Sequence, residues 1–567
     1  MTVLPIVERE LRLISRRRST FQLRIGAAVV AALGCAWIFA GMADGMTPAR
    51  LGHSMFVFLT TVSFLYCLFA GVHSTADCLS QEKREGTLGL LFLTDLRGHD
   101  VVLGKLASTS LTLAYGLLAC FPILSLPLLL GGMSAGQFWR VALALLCTLS
   151  MSLAAGIFAS TYSWQGRRAA MLAMGWLLVL STVPLMAMAA TSPGANPVFE
   201  PLGFLLALSP SFATMAAFDT FYANWSTSYW IAVASQLGLS GAALLAASLA
   251  VPHRWQDRPE TVRSQSWRER WKAWKLGNHR QRAEFRSKLL DRNPFFWLSS
   301  RERLGPAWVW GYLGLVACGW VWGALAVGED WFDPATYVTT GLLLCLSLKV
   351  WIGSEAARRF ADDRAAGALE LLFSTPMTAR EVIQGHFMAM RRQFLAPVIL
   401  TTLLCVLFWT VSAATEAGSA GWGWEGLMIA GYLALFLFDT HTLTWTGFWQ
   451  GLVSRRTNWA GFYTLFFVMV VPTLLFILLS LVLALMKFVW MVLFSGPALS
   501  FGGWFMPVGY FAICFATNAC LISVSRTRLL RRLREIAAHD FGYAVPPMDP
   551  PGERPAGTSA AVPPRLV

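Results

Sequence analysis

A polar segment occurs twice in this chain, each time between long apolar stretches, and the two copies align without a gap. Residues 82–105 read EKREGTLGLLFLTDLRGHDVVLGK and residues 363–386 read DRAAGALELLFSTPMTAREVIQGH, a constant offset of 281 (367 − 86). Gly86/Gly367, Leu88/Leu369, Leu90/Leu371, Leu91/Leu372, Phe92/Phe373, Thr94/Thr375, Val101/Val382 and Gly104/Gly385 are identical. Glu82/Asp363, Lys83/Arg364, Asp100/Glu381 and Val102/Ile383 keep their chemistry. An internal repeat constrains the fold more than any single motif, because one structural unit must then be used twice. The flanking apolar runs make that unit a membrane unit, and its most similar part is a loop outside the lipid.

The composition agrees: the chain is 56% hydrophobic and only 13% charged, with mean hydropathy +0.55. Runs of about 20 apolar residues are what a bilayer core of roughly 30 Å requires. They are readable at about 25–42, 53–76, 106–130, 138–162, 169–190 and 229–251, then at 307–327, 335–354, 394–414, 426–450, 459–485 and 507–525. The expectation is an all-α polytopic membrane protein, with twelve transmembrane helices as two pseudo-symmetric six-helix halves. The first six-span half is 1–252, a basic linker follows over 253–305, the second half is 306–535, and 536–567 is a Pro-, Ala- and Gly-rich tail expected to be disordered.

Loop charge sets the orientation. With the N-terminus inside, the outer loops are 43–52, 131–137, 191–228, 328–334, 415–425 and 486–506, and their only basic residues are Arg50 and Lys487. The inner segments hold the rest, a strong positive-inside asymmetry that puts both termini and both repeat copies in the cytoplasm. The net charge of +14 therefore points to membrane orientation and anionic lipid, not to nucleic acid. Residues 252–305 alone carry fourteen Lys/Arg against six Asp/Glu, or +8. Trp267, Trp271 and Trp274 are spaced there to share one helix face, as in an interfacial amphipathic helix or one packed on its own protein. The first span is expected to stay as a signal anchor, since no small-x-small cleavage site follows it. The outer segment 191–228 suits a re-entrant or interfacial helix pair.

Within each repeat copy a charged start leads into a short leucine-rich stretch. A turn follows at Thr94-Asp95 and at Thr375-Pro376, and then a new helix. Thr378-Ala379-Arg380-Glu381 has capping-box spacing. The result is a short helix with an apolar face between two spans, the kind of surface that marks an interaction site.

The pattern Glu85-Gly86-Thr87-Leu88, with Leu91, Thr94 and Val101-Val102-Leu103-Gly104-Lys105, resembles the permease of type-2 ABC exporters. The six-span layout, Arg167-Arg168 between the fourth and fifth spans, and Leu208-Ser209-Pro210 before the sixth are similar to that family too. The resemblance covers each half and implies that the repeated segment is a coupling helix docking on an ATP-binding subunit. It carries over to Glu85, Gly86, Thr87, Leu88, Leu91 and Thr94 in the first copy, and to Gly367, Leu369, Glu370, Leu372, Thr375 and Pro376 in the second. Ala366 and Ala368 depart from the pattern in the second copy, as Gly89 and Asp95 do in the first. The family also implies export and a bacterial inner membrane.

The chain contains no GxxxxGK[ST] sequence, so it has no phosphate-cradling loop of its own. ATP hydrolysis is expected in a separate ATP-binding cassette subunit, two copies per chain. No catalytic residue, cofactor or metal site is expected: the ten cysteines form no CxxC pair and no cluster with His. Asp439 and His441, inside the tenth span, could line a substrate path or be satisfied locally. At i, i+2 they point in different directions. Lys349 is expected to reach back to the interface. An ion-gradient-driven secondary transporter is the main alternative, although its repeat should peak inside the spans. A membrane-embedded enzyme lacks any supporting constellation.

Overall fold

The computed structural model describes residues 18–42, 47–93, 96–188, 203–254, 266, 269–270, 279–300, 304–415, 424–454, 457–494 and 505–538; Trp267, Trp271 and Trp274 lie outside them. Among the described residues every regular element is helical. In chain order these are α1 (Arg18–Met42), α2 (Pro48–Thr75), α3 (Cys78–Arg84), α4 (Thr87–Phe92), α5 (Gly98–Leu124), α6 (Leu126–Leu129), α7 (Ala135–Tyr162), α8 (Gly166–Met188), α9 (Gly203–Ala207), α10 (Pro210–Ala216) and α11 (Asp219–Arg254). There follow α12 (His279–Leu290), α13 (Pro294–Ser300), α14 (Leu304–Val327), α15 (Pro334–Ala365), α16 (Ala368–Phe373), α17 (Ala379–Thr415), α18 (Trp424–Val453), α19 (Thr457–Leu465), α20 (Val471–Phe494) and α21 (Phe505–Ala538).

Ten helices among the described residues are long and apolar enough to cross a membrane, which makes this a multi-pass membrane protein. They fall on ten of the twelve expected spans. The other two expectations, the first and fifth, fall on α1 and α8, whose apolar parts are shorter, Ala28–Phe39 and Arg168–Thr182. Several helices outrun the lipid. The 34 residues of α21 make about 51 Å at 1.5 Å each, so its Arg526–Ala538 end projects well beyond an apolar core of roughly 30 Å.

The helices around the two repeat copies pack in the same order. α2 lies on α7 and α7 on α11, as α15 lies on α18 and α18 on α21; α5 and α17 each flank the second helix of their set. One close approach recurs. A Cβ built on Gly156 would sit 2.0 Å from Thr75 Oγ1, and one on Gly447 would sit 2.7 Å from the Ala356 Cβ. Thr75 and Ala356 are related by the 281-residue offset, so a glycine on the fourth helix meets the same position of the second in both sets. Small residues at such crossings let backbones approach and gain dispersion contact where lipid supplies no hydrophobic drive.

The two sets also touch. The His73 ring of α2 meets Trp459 of α19 edge-on at 4.5 Å, with Phe462 at 6.2 Å, and α1 packs on α20. Between α19 and α20 the chain makes a π-turn, Phe466–Val470, just before Pro472, whose missing N–H breaks the regular ladder. On the opposite face of the first set, α9 and α10 form a pair of short helices ahead of α11; Ser209 caps α10 by accepting the Phe212 N–H.

Candidate functional site

Each repeat copy folds into a short helix introduced by a left-handed glycine. Gly86 has φ 72° ahead of α4, and Gly367 has φ 66° ahead of α16. Nothing lies within 4 Å of a Cβ built on either, so the glycine is required by backbone conformation and not by space. The helix after the loop is capped from its own sequence in the second copy. The Glu381 carboxylate accepts the Thr378 N–H at 2.8 Å, and the Thr378 hydroxyl accepts the Glu381 N–H at 3.3 Å. In the first copy Asp100 accepts the Arg97 N–H at 2.9 Å.

The leucines divide by direction. Leu88 and Leu369 are each 1% exposed. Leu88 packs in a cluster with Leu79, Val101, Ile157, Ala247 and Val251, and Leu369 in one that includes Leu529 and Leu533. Each therefore anchors its short helix to the last helix of its set and cannot meet a partner, which corrects the expectation that they lie on a docking face. Leu91 and Leu372 are half-buried against the same clusters. The side chains turned outward are Leu90 (64% exposed), Leu93 (82%) and Leu371 (72%). Glu85, Gly86, Glu370, Thr375 and Pro376 are exposed, whereas Thr87 and Gly367 are half-buried; Thr94 lies outside the described residues.

The positions that keep only their chemistry carry the polar anchors. Lys105 Nζ lies 2.8 Å from Glu82 Oε1, closing the loop across its two ends. The Thr87 hydroxyl donates to Glu82 Oε2 at 2.7 Å. In the second copy the corresponding pair is His386 Nε2 and Asp363 Oδ2 at 3.1 Å, close enough for an ion pair though not aligned as a hydrogen bond. The His386 ring is enclosed by Phe360, Phe295 and Phe448, with centroids 4.5, 4.7 and 5.7 Å away. One residue on, Lys83 donates to the carbonyls of Ser160 and Thr161 at the end of α7, and Arg364 donates to those of Leu452 and Ser454 at the end of α18. Carbonyls in the last turn of a helix lack intrahelical partners and carry its negative pole, so a cation there satisfies both needs.

Asp439 and His441 do not come together. Asp439 is buried: its Oδ2 lies 2.7 Å from Lys349 Nζ on α15, and its Oδ1 accepts from Asn518 Nδ2 on α21 at 2.5 Å. Lys349 thus does not reach the interface, because a carboxylate on the neighbouring helix holds its ammonium; the Tyr432 and Phe436 rings stand 5.4 and 5.8 Å from it. His441 is exposed and accepts the Trp445 indole N–H at 3.2 Å. Among the described residues no group of three or more His, Cys, Asp or Glu is placed to hold a metal ion, and all ten cysteines are free thiols.

No family model and no curated protein matches this sequence.

Proposed function

We propose that the chain is the membrane-spanning permease of an ATP-driven exporter, two six-span halves fused in one molecule, in a bacterial inner membrane with both termini cytoplasmic. Separate ATP-binding cassette subunits dock on α4 and α16, one under each half, and the chain itself hydrolyses nothing. A hydrophobic or amphipathic cargo suits walls this apolar. One observation carries the reading: two short helices, each opened by a left-handed glycine, turn the same leucine outward, Leu90 and Leu371. Exposed leucines on a rigidly held helix are what a docking partner can bury. The contact of α2 with α19 is the seam along which a path between halves would open.

The test is purification of the tagged chain from its native membrane, with nucleotide-dependent ATP hydrolysis as readout. Co-purifying activity that disappears in Leu90→Asp/Leu371→Asp, with the permease still folded, supports docking there. Retention of full activity by that variant refutes it. The buried Lys349–Asp439 pair favours a second reading, a carrier driven by an ion gradient. On that reading transport persists without ATP, collapses with the gradient, and is lost in Asp439→Asn.

A further inference from the structure

The repeat keeps two kinds of residue: identical apolar ones, and polar ones that are only similar. The apolar ones are accounted for by the core and by the outward leucine. The polar ones, Glu82/Asp363 and Lys83/Arg364, find the same two partners in both copies although those partners are not part of the matching sequence. The acid meets the residue 23 positions on, Lys105 or His386, at the root of the next long helix (105 − 82 and 386 − 363). The base meets the terminal carbonyls of the fourth long helix of its set. Lys105 becoming His386 changes the cation but preserves the contact, which is what a pair selected for position, and not for one side chain, would leave behind.

We propose that Glu82–Lys105 with Lys83, and Asp363–His386 with Arg364, are positioning groups that make each short helix one rigid body with the end of α7 or α18. A push on the short helix is then passed to the fourth long helix of its set. Without them α4 is tied through Gly86 and six residues of helix, and α16 likewise through Gly367, so a push would be absorbed by bending at the glycine. Glu82 sits at the centre of the first clasp: one carboxylate oxygen faces the ammonium and the other accepts the Thr87 hydroxyl, tying the helix start to the same group. In the second copy Ala368 stands where Thr87 does, so that contribution is gone and the aromatic enclosure of His386 takes its place. This inference rests on the reading of α4 and α16 as docking elements only for the source of the push.

Amide hydrogen exchange on the full chain in lipid nanodiscs tests the clasp by itself. Lys105→Met should raise exchange over 87–93 by roughly tenfold, as loss of a half-buried ion pair does locally, and Glu82→Lys/Lys105→Glu should restore it. His386→Leu should loosen 368–373 in the same way, and His386→Lys, which copies the first clasp into the second, should not. Unchanged exchange in both Lys105→Met and His386→Leu overturns the proposal. In the complex with its ATPase, addition of ATP and vanadate should alter exchange at 157–162 and 448–453. The double variant Lys83→Met/Arg364→Met should abolish that response while ATP hydrolysis continues. A response that survives there also overturns the transmission step. Should no ATPase ever associate, the reading of function falls while the exchange experiment still decides the clasp.

Discussion

Replacing Asp439 by Leu should destabilise the protein far more than replacing Asp439 and Lys349 together. Both side chains are within 8% of full burial, Asn518 is fully buried, and the ammonium and carboxylate are 2.7 Å apart. Removing the acid leaves a cation facing Tyr432, Phe436 and an unused amide donor. An orphaned buried charge of this sort costs about 3–5 kcal/mol. The ordinary hydrogen bond to Asn518 matters much less, since such bonds inside membranes average about 0.6 kcal/mol. Lys349→Met/Asp439→Leu removes both charges and their desolvation cost, so its stability should lie within about 1 kcal/mol of the parent, on either side. The coupling energy of the cycle is then about 3 kcal/mol or more. Equilibrium unfolding in bicelles by steric trapping measures each corner. Single variants that each cost under about 1 kcal/mol and add in the double would refute the idea that α15, α18 and α21 are held by a desolvated pair.

Three further outcomes follow from the same geometry. Gly86→Ala and Gly367→Ala should each cost about 1 kcal/mol through backbone strain alone, because space is open at both Cβ positions; a stability measurement showing no loss would mean the loops rearrange. Gly156→Val and Gly447→Val should cost more, about 1–3 kcal/mol, since each forces apart a crossing in which even a Cβ is too close; thermal unfolding in detergent would show it. Leu88→Asp should impair folding and yield, whereas Leu90→Asp should leave stability within about 0.5 kcal/mol and affect only association with a partner.

Much of the architecture was legible because the lipid imposes a strict length and polarity on each span. The capping box at Thr378 and Glu381 could be read because it is local. What escaped the sequence depends on which helix faces meet. Lys349 and Asp439 are 90 residues apart (439 − 349), and nothing in either span says that their helices turn these faces to one another. Leu88 and Leu369 were expected on the outside because they are identical between copies. Identity does not distinguish a residue kept for a partner from one kept for the core, and burial decides for the core. The Gly156/Gly447 match escaped because its offset is 291 (447 − 156), ten more than that of the loop. A longer connection between the third and fourth helices of the second set shifts the register, so a search at one constant offset misses it.

The two short helices are built alike but not held alike, and magnitudes say which is looser. The first has a lysine–carboxylate pair at 2.8 Å plus the Thr87 hydroxyl on the same carboxylate. The second has a shorter acid and a less well aligned histidine, and lacks the hydroxyl. It gains Arg534, which donates to the Met377 carbonyl at 3.4 Å and stands 5.8 Å from the Phe373 ring, but both contacts are exposed and long. Exposed charged contacts of that quality are worth roughly 0–1 kcal/mol, against about 1.5–3 for a charge-assisted bond away from water. The balance makes α16 the more compliant element, and amide exchange over 368–373 should run faster than over 87–92 in the unmodified protein. Equal protection of the two would mean that the leucine anchors, which are the same in both copies, dominate over the polar ones.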